Sequence, residues 1–238
     1  MTDFASINAE LTDRTDFLVG LRDTTFFTVE PGSVLSTDDG AVAPLALSAT
    51  ASATFIAATD SLRDAANGGA TGAVSTFALL RASLESAAVT IWLLESDDPA
   101  VRATRLLSEV WGDIRDSDRL ATALGSSAES LADQERDWAS AHESVFGDSD
   151  GSARQMPTSM AAKLDAAASV VADFTEVPGA GAVIRSSWSA FGSLARGRAD
   201  AFSLTDDAAA MVAGSRSLVL DVLETAASLY HVRAVGPT

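Results

Sequence analysis

The chain has 238 residues, 47% of them apolar, and a formal net charge of −17 at pH 7. That is ample material for a sizeable core with no linker dividing it, so a single helical domain spanning 1–238 is expected. The absence of cysteine excludes disulfides, thiolate metal sites, paired-cysteine redox chemistry and a cysteine nucleophile. The negative field repels phosphate backbones and disfavours nucleic acid as a partner.

At the amino end, Met1-Thr2-Asp3-Phe4 offers neither a basic segment nor an apolar run, so no signal peptide is expected and the protein is read as cytoplasmic. Apolar residues then recur at helical spacing through nearly every segment, while alternating β-branched runs bounded by turns are missing. The pattern predicts an all-α multi-helix bundle of about seven to eight helices. They fall at 3–23, 42–67, 71–95, 99–123, 126–146, 158–174, 180–196 and 204–232. Pro31-Gly32, Asn67-Gly68-Gly69, Gly125-Ser126 and Val177-Pro178-Gly179 are the breakers between them, and Asp98-Pro99 reads as an N-cap followed by a first-turn proline. The polar run 147–154 is expected to be a mobile loop. Gly40 to Thr59 is free of charge but interrupted by Pro44 and by hydroxyl residues, a poor match to a membrane span, so no membrane partner is expected. In the last helix Met211, Val212, Leu218, Val219, Val222, Leu223, Ala226, Leu229 and Tyr230 form one stripe, capped by Thr205, Asp206 and Asp207.

The third predicted helix stands out. From Thr71 to Leu94 it is apolar or small on every face except for Arg81 and Glu85, the composition of a buried central helix. Unpaired charges there cost several kcal/mol. The i,i+4 spacing lets them meet, so Arg81 and Glu85 are expected as a buried, hydrogen-bonded pair. The pair either sets helix register or forms the floor of a polar pocket.

A second constellation is Arg185, Arg196 and Arg198, in a stretch from Val177 to Ala199 that contains no acid. Eleven residues of helix bring Arg185 and Arg196 to nearly the same face, which marks a candidate site for a small anion. The alternative is that these arginines pair with carboxylates of other helices. Lys163, the only lysine, carries no mechanistic weight in the sequence.

Arg136 and His142, with five residues between them, resemble the arginine and histidine motif of helical HEPN-type ribonucleases. That resemblance implies metal-independent cleavage of RNA with these two as catalytic candidates. The acidic neighbours Asp133, Glu135, Asp137 and Glu143 oppose RNA approach, and His142 otherwise reads as an exposed helix residue. His142 and His231 are far apart, so no metal site is expected. Asp148-Ser149-Asp150-Gly151 lacks the first ligand and the closing glutamate of a calcium loop. No nucleophile elbow, Walker loop or dinucleotide fingerprint is present, and no cofactor is expected. Trp92, Trp111, Trp138 and Trp188 sit on or beside apolar stripes and read as core.

The run Leu79 to Glu95, followed by Asp98-Pro99 and Arg102, and preceded by Ala57 to Leu62, resembles a mostly actinobacterial family of all-helical proteins that are distantly HEPN-like. The resemblance implies a helical fold and not a reaction. Members carry a Ser-Gly-x-Ala-His-Gly-like run where this chain has Gly192-Ser193-Leu194-Ala195-Arg196-Gly197, so arginine stands in place of their histidine. With no strong catalytic constellation, the leading expectation is a non-catalytic protein working through protein contacts. It would act as a homodimer or as the acidic partner in a defence or toxin–antitoxin-like system. A HEPN-like ribonuclease and a binder of a small phosphorylated or anionic ligand are the alternatives.

Overall fold

A computed structural model describes residues 4–67, 73–125, 129–147, 158–177, 179–196 and 208–236. Among them nine α-helices and no strand are found: α1 Phe4–Gly20, α2 Val34–Ala41, α3 Leu47–Asn67, α4 Ala73–Leu94, α5 Pro99–Leu124, α6 Glu129–Phe146, α7 Met160–Thr175, α8 Ala180–Ala195 and α9 Ala208–Ala234. The all-α class is as expected, but the helix expected over 42–67 begins only at Leu47, and α2 is an additional element. Ser33 starts α2 by accepting the Ser36 amide at 3.1 Å, and the Val42 amide closes it on Asp38. The Ala43–Pro44 step then interrupts the chain, because proline has no amide to donate. The loop expected at 147–154 lies, after Gly147, outside the described residues, as do Arg198 and the expected α9 caps Thr205, Asp206 and Asp207.

Helix α4 runs through the middle, packed by α3, α5, α7, α8 and α9. Leu80, Leu84, Ala87, Ala88, Ile91, Leu93 and Leu94 are sealed from solvent. By length and composition Val74–Leu94 could cross a membrane, yet 67% of its most apolar window is buried inside the bundle. Small residues let α3 approach closely: Ala51 and Ala58 on one side, Ala87 and Ala88 on the other, all buried. The hydroxyls left in that seam find local partners, as burial demands. Ser83 donates to the Ala58 carbonyl at 2.7 Å, and Thr54 and Thr90 share a hydrogen bond of 2.8 Å.

A helix buried this deeply must satisfy its last carbonyls from within the protein. Arginines from α5 and α9 do so: Arg105 donates to the Trp92 carbonyl at 2.5 Å, Arg233 to Leu94 at 2.6 Å, and Arg102 to Ser96 just beyond at 2.6 Å. Each also carries a carboxylate: Glu95 for Arg105, Asp97 for Arg233 and Asp38 for Arg102. The Arg102–Asp38 pair is two-pronged, at 2.7 and 2.8 Å, with only 3% and 5% of the side chains exposed. It ties α2 to α5 beside the end of α4.

Removing one member of such a pair strands a buried charge. Asp38→Ala is expected to lower unfolding free energy by about 3–5 kcal/mol, read by urea denaturation followed by circular dichroism. A loss below about 1 kcal/mol, the range of an exposed pair, would contradict this account.

Candidate functional site

On α4, Phe77, Arg81 and Glu85 recur at intervals of four and share a face; α8 packs across it. Ile184 and Phe191 anchor α8 in the core, and the Phe191 ring lies 5.8 Å from that of Phe77. Trp188, Gly192 and Arg196 follow the same spacing along α8. The Arg81 Nε donates to Glu85 Oε1 at 2.8 Å, and the same oxygen accepts the Trp188 indole N–H at 2.7 Å. The Arg81 guanidinium carbon sits 4.9 Å from the centre of the Trp188 ring, a cation–π contact.

Gly192 makes this geometry possible. A Cβ there would lie 1.9 Å from Arg81 Nη1, 3.1 Å from its Cζ and 3.5 Å from Arg196 Nη1. The two guanidinium groups therefore meet over an α8 position without a side chain. Glu85 takes only the Nε–H of Arg81, so neither Nη group of Arg81 is engaged by it. The Arg196 guanidinium has no ion pair or hydrogen bond among the described residues. Two cations and one carboxylate leave a local positive excess in an acidic protein.

The expectation of a fully buried pair needs correction. Arg81 and Glu85 do pair, but their side chains are 27% and 28% exposed. Glycine roofs the guanidinium where a side chain would have covered it, and the rim stays in contact with solvent. Of the second constellation, Arg185 and Arg196 are not gathered either, and Arg198 lies outside the described residues. Arg185 turns to Asp165 of α7 at 3.2 Å, with both side chains more than half exposed. Close packing of α7 on α8 brings that carboxylate within reach, since a Cβ on Gly181 would stand 3.2 Å from the Ala168 Cβ.

Arg136 and His142 do not converge. Arg136 pairs with Asp133 at 2.8 Å and is 72% exposed. His142, expected at the surface, is buried; its ring lies 4.9 Å from Trp138 and 5.1 Å from Phe146, and its Nε2 has no partner among the described residues. Six residues of helix rotate the two side chains to different faces, so the ribonuclease reading has no paired arginine and histidine within α6. Among the described residues no group of three or more histidines and carboxylates is placed to hold a metal. Lys163 proves structural: buried, paired with Glu109, and 4.9 Å from the Trp92 ring, it clamps α7 to α4 and α5.

No family model, curated protein or solved structure matches this chain. The likeness to the actinobacterial helical family thus rests on the quoted residues alone.

Sequence reasoning missed the part of Trp188 and Gly192, whose only signal was that Trp188, Gly192 and Arg196 recur at intervals of four. Gly192→Ala is expected to leave the fold intact, because the clashing atom is the far end of a flexible side chain. It should displace the Arg81 guanidinium from Trp188 and alter tryptophan emission. The change should be absent when Trp188→Phe is combined with it; an unaltered spectrum in Gly192→Ala alone would contradict the geometry.

Proposed function

We propose that this chain is a non-catalytic binder of a small anion, a carboxylate or phosphate group held between Arg81 and Arg196 above Gly192. The observation that carries the reading is the Arg196 guanidinium, unpaired among the described residues, facing a second one already fixed in place. Glu85 and Trp188 hold Arg81 in one orientation, and donors ordered before binding lose little freedom on binding. Guanidinium forks suit the planar oxygens of carboxylates and phosphates. An anion seated there offsets the charge that Glu85 leaves uncompensated.

Inorganic phosphate is the first probe, compared with sodium chloride at matched ionic strength. At a hundredfold excess over the dissociation constant, stabilisation is about 2.7 kcal/mol, a rise in Tm of roughly 5–10 °C for a chain of this size. Arg196→Ala, an exposed change, should abolish the rise while leaving the unliganded Tm nearly unchanged. Equal effects of phosphate, acetate and chloride on both proteins would refute the reading.

Self-association through protein contacts is a second reading, favoured by one observation. Beyond Ile114, α5 is accompanied by α6 and its residues are mostly exposed; Leu120 and Leu124, one turn apart, are 61% and 73% exposed. Paired apolar side chains on a projecting helix suit an isologous dimer contact. Light scattering at micromolar concentration should give a dimer that Leu120→Asp with Leu124→Asp converts to monomer. A monomeric parent chain would end this reading.

A further inference from the structure

Arg216 is the anomaly among the buried arginines. It lies on the inward face of α9, only 7% exposed, and its Nε and Nη2 have no hydrogen-bond partner among the described residues. Arg102 and Arg233 are buried to a similar degree, yet carboxylates and carbonyls engage them from several sides. Burial without a partner disfavours the charged form of Arg216 and pulls its pKa down. A guanidinium in that position is better solvated outside the bundle than within it.

The packing around the same stretch of helix is loose. A cleft of about 320 Å³ opens between α1 and α9, where Leu11 and Arg14 face Gly214. Another of about 270 Å³ opens between α8 and α9, where Phe191 and Leu194 face Met211 and, again, Gly214. Gly214 thus lines both clefts, and a Cβ on it would touch nothing within 4 Å. Glycine inside a helix also weakens it locally. One turn later the character changes: Val219, Leu220, Val222, Leu223 and Ala226 are all sealed.

We infer that the first turns of α9, residues 210–218, open from the bundle as one unit while the helix from Val219 onward stays docked, the open form being favoured by hydration of the Arg216 guanidinium. Opening uncovers Phe191 and Leu194, which flank the Gly192 roof of the cation pair. The motion itself does not depend on the anion-binding reading.

Hydrogen exchange on the full chain tests this. A helix end that merely frays shows protection rising residue by residue, whereas a unit opens all its amides with one common equilibrium. Amides of 214–222, which donate to the carbonyls of 210–218, should share a single protection factor, about 100-fold below that of 223–230, with a step at Leu223. Arg216→Met keeps an unbranched stem and removes the charge, so it should slow exchange of all these amides together by tenfold or more. Gly214→Ala, which meets no atom, should slow them by a common factor as well. Graded protection without a step, slowing in Gly214→Ala confined to its immediate neighbours, or an Arg216→Met protein that exchanges unchanged, exchanges faster or fails to fold would each overturn the inference.

Discussion

The carboxyl end of α4 is the constraint on which the bundle depends. A helix surrounded on most of its faces gains its stability from burial, but that burial leaves its last carbonyls without water. Backbone acceptors in that position must be paired inside the protein. Arg102, Arg105 and Arg233 meet the demand from α5 and α9, and their own charges are in turn met by Asp38, Glu95 and Asp97. Two of the helices that pack around α4, α5 and α9, are therefore also those that terminate it, and α2 is recruited because Asp38 lies there.

Against that background the arginines of the molecule fall into distinct physical states. Those around the end of α4 are saturated with acceptors and have none to spare for a ligand. Arg14 is similar: Glu224 and Asp221 clasp it between α1 and α9 and stabilise its charged form. Arg81 is half-satisfied, since Glu85 orients it and takes one N–H, and Arg196 is unsatisfied and open to solvent. In the proposed anion-binding reading, Glu85 and Trp188 hold Arg81 in place without using up its donors, and the exposed Arg196 supplies further ones. Arg216 is unsatisfied but enclosed, a state that favours movement of its helix over capture of a ligand.

Parts of this arrangement were legible before any coordinates. The continuous apolar run of Thr71 to Leu94 marked the central helix, and the spacing of Arg81 and Glu85 indicated that they would meet. Asp98-Pro99 marked the start of α5, where the Asp98 carboxylate accepts the Ala100 amide at 2.8 Å. Helix α2 was not legible, being eight residues with two acids and a glycine, too short for a periodic apolar stripe to show. The exposure of His142 was misread because the four acids nearby, Asp133, Glu135, Asp137 and Glu143, suggested a wet face. In fact Trp138 and Phe146, one turn to either side, carry it inward with them.

The amino-acid sequence by itself determined the helical class, the approximate limits of most helices, the identity of the central one and the pairing of Arg81 with Glu85. These are consequences of periodicity and of charge within four residues, which act along one helix. Only the tertiary structure decided that Arg196 would face Arg81 and not Arg185, that Gly192 would admit the guanidinium, that Asp38 would reach Arg102 across 64 positions, and that Arg216 Nε and Nη2 would be buried with no partner among the described residues. Each depends on how one helix crosses another, and a crossing is set by the summed packing of many side chains, which no local spacing records.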